Sequence, residues 1–171
     1  MNYFEFYKIA PAFHINISEL RKRYYEKSRA SHPDSIPADK AGEFDADFLS
    51  ALNNQAYHTL LHPLSRLKYI LETEFSATDQ ETLKDDAAFL LEMMNLHEFL
   101  QEAILCEDEV LISKGRERLG AFDTLAHEEV SPFLALFDQG HRSPEIRKAL
   151  QVYYNKLKYF TRLGETMGGD R

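Results

Sequence analysis

The residues best placed to do chemistry are His32 and Asp34, held one on each side of Pro33. An imidazole and a carboxylate in fixed relation could work as a general acid/base pair, which needs a nucleophile or a metal and a site that excludes water. No such set assembles around them. The chain has no Gly-rich phosphate loop, no His-Glu-x-x-His run and no Gly-x-Ser-x-Gly elbow. Of the seven histidines, only His58 and His62 have metal-ligand spacing on a helix, and they have no acidic third ligand beside them; they read as surface or helix-end residues. An enzyme using His32 and Asp34 stays a rival, but taken alone the three residues are a weak motif and read first as a turn in which proline fixes φ and aspartate caps.

The bulk composition narrows the field. The chain has 171 residues, 44% of them hydrophobic, and a net charge of −8. That suits one packed domain or two small ones and argues against nucleic acid as a partner. The lone Cys106 excludes a disulfide framework, a cysteine zinc finger or an iron–sulfur cluster held by this chain alone. We expect no metal and no cofactor. No apolar run approaches the roughly 18 residues of a membrane span, so no membrane partner is expected. Tyr3, Phe4, Phe6 and Tyr7 follow Met1 without a basic leader, and the expected location is cytoplasmic.

The elements that must position these residues are all helices. Gly and Pro are few, and no segment alternates as a strand does. A short aromatic helix is predicted from Tyr3 to Ile9. A second, capped by Ser18 with Glu19 in its first turn, runs to about Ser31 and stops before Pro33. Pro37, Asp39 and Gly42 mark a loop. Phe44, Phe48, Leu52, Ala56 and Leu60 then form an i, i+4 stripe on a long helix that ends at His62-Pro63. Leu64, Leu67, Tyr69, Ile70 and Leu71 continue in a shorter one. A polar connector runs from Thr73 to Thr82. Three more helices are predicted over 86–105, 109–136 and 144–163, with Gly140 and Pro144 between the last two and a loose Gly168-Gly169-Asp170 tail. The expected fold class is all-α: an N-terminal helical hairpin around His32-Pro33-Asp34, then a C-terminal three-helix bundle.

Charge divides the chain. Through Leu71 there are nine basic and eight acidic residues; beyond it there are eleven and twenty. At roughly 100° per residue, Leu20, Tyr24 and Ser31 share one side of the second helix, and Arg21, Lys22, Tyr25 and Arg29 share the other. A basic stripe on an acidic chain, leading straight to His32, suits an acidic protein partner. On the helix from Asp86, Phe89, Met93, Leu96, Leu100 and Ala103 fall within roughly 40° of one direction and are the expected core. Leu90, Leu91 and Met94 lie roughly 100–200° away from Phe89, on the side where Glu98 and Glu102 project. Either another helix covers those three or they form a docking patch with an apolar centre and a charged rim.

A basic helix, His32-Pro33-Asp34, a polar loop and a second striped helix together resemble a J domain. The resemblance implies two antiparallel helices with the tripeptide at their tip, acting on a DnaK-type chaperone ATPase whose hydrolysis the J domain accelerates without doing the chemistry. Ser35 stands where many members carry lysine, with Lys40 nearby as a substitute charge. The longer stretches Leu52-Asn53-Asn54-Gln55-Ala56-Tyr57-His58-Thr59-Leu60-Leu61-His62-Pro63-Leu64-Ser65-Arg66 and Ala87-Ala88-Phe89-Leu90-Leu91-Glu92-Met93-Met94-Asn95-Leu96 are similar to the HscB-type co-chaperones of iron–sulfur cluster assembly, over nearly the whole chain.

That resemblance implies a J domain over 1–71, a connector over 72–85 and a client-binding bundle over 86–171. It implies a non-enzymatic co-chaperone with two partners. Arg21, Lys22, Tyr25, Arg29, His32, Pro33 and Asp34 would meet an HscA/DnaK-type chaperone ATPase. Leu90, Leu91, Met94, Asn95, Glu98, Glu102 and Tyr153 would meet an IscU-type iron–sulfur cluster scaffold protein. Asn95 replaces the acidic residue expected at its position. The alternative is a J-domain co-chaperone for another client, with a purely structural bundle.

Overall fold

The structure, a computed structural model, describes residues 2–30, 46–75 and 86–168. His32, Pro33 and Asp34, with Ser35, Lys40 and Phe44, lie outside the described residues, as does 76–85 of the connector. Among the described residues there are seven helices and no strand, in two compact units, Met1–Phe75 and Ser76–Arg171.

In the first unit, α1 is one turn, Tyr3–Phe6, shorter than its aromatic run suggested. Asn2 and Glu5 close it with a reciprocal capping box: the Asn2 side chain accepts from the Phe4 amide at 2.9 Å, and Glu5 accepts from the Asn2 amide at 3.1 Å. The Arg23 guanidinium donates to the carbonyls of Tyr7 and Lys8, tying the end of this turn to α2, Ile17–Ala30. The cap of α2 is Asn16 and not Ser18. Its side-chain oxygen accepts from the Glu19 amide at 3.0 Å, and its carbonyl accepts from the Leu20 amide at 2.9 Å. Asparagine caps at least as well as serine, and capping at Asn16 starts the helix earlier.

Helix α3, Ala46–Leu61, carries the predicted stripe only in part. Ala56 and Leu60 are completely buried, whereas Phe48 is 61% exposed. Each i, i+4 step overshoots a full turn by about 40°, so a stripe built of such steps winds off the core. The position on the buried line is taken instead by Asn53, which is 2% exposed. His62 is extended (φ −87°, ψ 125°) and Pro63 opens α4, Pro63–Thr73, because the missing proline N–H costs nothing in a first turn. Leu67 and Ile70 are buried, and so is Arg66, which donates to the Leu60 carbonyl at 2.5 Å and sits 5.2 Å from the Phe13 ring. Tyr69 stacks on Tyr3 at 4.5 Å, and its hydroxyl accepts from the Tyr3 amide, closing α4 onto α1.

The second unit is a three-helix bundle of α5, Ala87–Leu105, α6, Glu109–Asp138, and α7, Pro144–Thr166. Each starts at a side-chain cap: Asp86 accepts from Ala88, Asp108 from Val110 and Leu111, and Ser143 from Ile146. Gly140 (φ 97°) makes the turn between α6 and α7, a conformation open to glycine at little cost. The core is the predicted α5 stripe of Met93, Leu96, Leu100 and Ala103 packed against Leu119, Leu134 and Phe137 of α6 and Leu150, Leu157 and Phe160 of α7. Phe89 is half-buried, edge-on to Phe160 at 5.9 Å. Gly115 lets α6 approach α5: a Cβ there would collide with the Leu100 side chain, its Cγ only 3.0 Å away.

Two stability predictions follow from this packing. Gly115→Ala destabilises the bundle by about 1–3 kcal/mol through overpacking, while Gly120→Ala, with nothing within 4 Å, stabilises it by about 0.5–1 kcal/mol; urea unfolding of both variants distinguishes a tight approach from ordinary helix propensity. The second concerns Tyr7, whose hydroxyl pKa is raised above its ordinary value first by burial and then by Tyr24 and Tyr57. A raised folded-state pKa means that its contribution is complete below the unfolded value, about 10, and falls as pH climbs through and beyond it. Thermal unfolding between neutral pH and pH 11 therefore shows a steeper alkaline loss for the parent than for Tyr7→Phe; identical slopes would contradict it.

Candidate protein-docking surfaces

The first surface lies on α2. Its amphipathic turn buries Leu20 (1% exposed) and leaves Arg21, Lys22, Tyr25 and Arg29 exposed on the other side. Tyr24, half-buried between these sides, stacks on Tyr57 of α3 at 4.3 Å and donates to Asn54 at 2.8 Å. The side chain of Tyr57 pushes the Arg21 guanidinium further above its ordinary pKa, although an arginine carries its positive charge at any physiological pH. Lys27 turns away from this side: its ammonium sits 4.0 Å over the Phe6 ring, and burial lowers its pKa. The exposed cations are thus a selected set on one side of the helix.

What holds α2 in register with α3 is polar. Asn53 donates through Nδ2 to the Tyr24 carbonyl at 3.1 Å and to the Ser28 hydroxyl at 2.9 Å. Its Oδ1 accepts from the Tyr7 hydroxyl at 2.7 Å, which also lies 2.9 Å from the Asn53 carbonyl. Ser28 in turn donates to the Tyr24 carbonyl at 3.0 Å. Burial raises the Tyr7 hydroxyl pKa above its ordinary value; a phenol is protonated at neutral pH in any case and can donate here.

The second surface lies on α5. Opposite its buried stripe, Leu91 and Met94 are 58% and 60% exposed. Leu90 is half-buried, and Asn95, Glu98 and Glu102 are exposed beside them. Within the described residues of this unit, then, no helix covers Leu91 or Met94. Sequence reasoning missed Leu105. It is 85% exposed and, at roughly 100° per residue, falls within about 40° of Leu91; the same helical arithmetic carried to the C-terminal end of α5 would have found it.

Tyr153 is held in the α6–α7 seam. It is only 5% exposed, with its hydroxyl 3.2 Å from His127 Nδ1. Its position 153 falls on the core line of α7 with Leu150, Leu157 and Phe160, and a phenol is large enough to be drawn into the α6–α7 seam while its oxygen finds a partner. There it lines a cleft with Ala126, Val130, Ala149 and Val152, which Lys156 and Glu129 bridge at 2.6 Å.

His58 and His62 are exposed, with near-parallel rings 6.5 Å apart, and among the described residues no three His, Cys, Asp or Glu side chains gather closely enough to hold a metal. Cys106 is a free, exposed thiol. No helix among the described residues is long and apolar enough to cross a membrane.

No family model matches the chain, but individual relatives do. It is 34% identical over 138 residues to the co-chaperone protein HscB of Proteus mirabilis, a match covering 76% of this chain and 77% of that one. It is 35% identical over 112 residues to an HscB homolog of Shewanella loihica, covering 63% of this chain and 64% of that one. With an HscB homolog of Shewanella halifaxensis the match runs over 171 residues at 27% identity, covering 98% and 95%. Among solved structures, human co-chaperone HscB superposes with a TM-score of 0.75 at 27% identity, covering 98% of this chain and 81% of that one. Chaperone HscB from Vibrio cholerae gives 0.64 at 27% identity, covering 98% and 96%. With a paired α2–α3 in the first unit and a three-helix bundle in the second, the chain belongs to the HscB family of co-chaperones, with a J domain and a C-terminal helical bundle.

Proposed function

We propose that this co-chaperone is an adaptor with two faces. Residues 1–71 are its J domain, 72–85 a connector and 86–171 the client-binding bundle. Arg21, Lys22, Tyr25 and Arg29, with the tip His32-Pro33-Asp34, dock on an HscA/DnaK-type chaperone ATPase and accelerate its ATP hydrolysis. Leu90, Leu91, Met94, Asn95, Glu98 and Glu102 hold an IscU-type scaffold protein and bring it to that chaperone, in the service of iron–sulfur cluster assembly. Any cluster or metal belongs to the scaffold. The adaptor does no covalent chemistry of its own.

One observation carries the client half of this reading: Leu91 and Met94 stand exposed on a helix whose opposite side is fully buried. Burying such a side chain against a partner contributes at most about 1.5–3 kcal/mol. Two or three of them, less the cost of association, fit a micromolar and reversible contact. The basic side of α2 supports the chaperone half. There Asp34 would meet a partner cation in a charge-assisted bond, and truncating one member of such a pair costs about 2–5 kcal/mol. Tyr153, 5% exposed in the wall of the α6–α7 cleft, would join this contact set only through that cleft.

The two halves separate by mutation. Asp34→Asn abolishes stimulation of a purified chaperone's ATPase and leaves scaffold binding in calorimetry intact. Leu91→Ala with Met94→Ala does the reverse, weakening scaffold binding by at least tenfold while stimulation by the J domain persists. Because both side chains are exposed, this pair changes unfolding free energy by no more than about 0.5 kcal/mol per site, whereas Leu96→Ala in the buried stripe costs about 2–5 kcal/mol. A fully active Asp34→Asn protein would defeat the chaperone half; undiminished scaffold binding would defeat the client half.

A further inference from the structure

α2 has one fully buried residue, Leu20, so apolar packing fixes its register against α3 at few points. The hydrogen bonds around Asn53 add directional constraints. Asn53 spends both ends of its amide: Nδ2 on the Tyr24 carbonyl and the Ser28 hydroxyl, Oδ1 on the Tyr7 hydroxyl. It is 2% exposed, so water does not replace a lost partner there. A slip of α2 along α3 by one residue would leave buried donors and acceptors unmade, which is the costly case for hydrogen bonds. Ser28 and Tyr24 lie on the same two turns of α2 as Tyr25 and Arg29, and Tyr24 in turn stacks on Tyr57, the partner of Arg21.

We infer that Asn53 is a positioning residue for chaperone docking: it fixes the register and rotation of α2 against α3, so that Arg21, Tyr25 and Arg29 reach their partner together. The inference rests on the proposed J-domain reading and adds a residue that touches no partner. The Tyr7 side of the clamp supplies its control. Tyr7→Phe removes a buried hydrogen bond from Asn53 but leaves both of its bonds to α2, whereas Asn53→Leu removes the bonds to α2 together with the one from Tyr7 and keeps the branched shape with a larger volume.

The test measures chaperone ATPase stimulation against concentration of the full chain, with thermal unfolding and amide hydrogen exchange of α2 on the same proteins. Asn53→Leu raises the half-saturating concentration by about tenfold, the size of one misplaced charge-assisted contact, and speeds exchange over Tyr24–Ala30. Tyr7→Phe lowers the unfolding temperature but leaves the half-saturating concentration within about twofold. Combining Asn53→Leu with Arg21→Ala gives less than the product of the single effects, because both act through the same docking side. Should Asn53→Leu fail to fold, Ser28→Ala, which removes one of the two bonds to α2, decides the matter in the same assay by a smaller shift. An unmoved half-saturating concentration, or shifts that track the loss in unfolding temperature for Tyr7→Phe as well, overturns the inference. A parent that does not stimulate the ATPase at all overturns the J-domain reading instead, and hydrogen exchange then still reports whether Asn53 locks α2.

Discussion

The first unit depends on a buried amide. Its hairpin is too thin to be organised by hydrophobic burial alone, since α2 commits only Leu20 fully to the interior. Apolar contact selects which sides of two helices meet, and with so few buried side chains it fixes their register at few points, whereas directional bonds add constraints on register and rotation. Asn53 supplies that direction by linking the segment after α1, α2 and its own helix through side-chain atoms. Tyr24 stacked on Tyr57 adds an aromatic contact between α2 and α3, and Tyr3 stacked on Tyr69 adds one between α1 and α4. The second unit is organised in the opposite way. Its three long helices interlock Met93, Leu96, Leu100, Leu134, Phe137, Leu150 and Phe160, and a glycine at 115 takes the place of a side chain where α6 lies against Leu100 of α5.

This difference governs what was legible in the sequence. Long amphipathic helices announce themselves, and α5, α6 and α7 begin where their capping residues Asp86, Asp108 and Ser143 lead the apolar pattern. The exposed Leu91 and Met94 were also legible, because an angle of roughly 100° per residue is all that separates them from the buried stripe. Asn53 was not. A mid-helix asparagine has the hydropathy of a surface residue, and its burial is decided by groups twenty-five and more positions away, at Ser28, Tyr24 and Tyr7. Phe48 misled for the converse reason: an i, i+4 repeat matches apolar residues to one another while winding them slowly off the core. Tyr153 shows a third limit. Its position on α7 could be read, but whether a phenol points out or into the α6–α7 seam depends on His127 across that seam. The tip His32-Pro33-Asp34, the part of the chain that most invited a chemical reading, lies outside the described residues.

The two surfaces differ in kind as well as in place. The α2 side is cationic with one exposed aromatic ring, Tyr25. Its attraction to an acidic partner acts at a distance, raises the rate of encounter and fades as salt screens it. The α5 side has an apolar centre, with Glu98 and Glu102 beside it. Its binding energy comes from short-range burial, which salt affects little, while the carboxylates discriminate against acidic competitors. Partners suited to one side are therefore poorly suited to the other.

Weakness in both contacts is then a requirement of the adaptor reading. A carrier that held its client at nanomolar affinity would gain about 4 kcal/mol over a micromolar one, and that energy would have to be overcome at every release. Two or three half-exposed apolar side chains cannot supply it. What they lack in strength is recovered by covalent linkage: once the J domain is docked, a client on the same chain is presented to the chaperone at an effective concentration of about millimolar order. Linkage raises capture without slowing the client's departure from α5, because the off-rate depends on that contact alone. A small, exposed and imperfectly apolar patch is thus the form a delivering surface takes, whereas a larger one would convert delivery into sequestration.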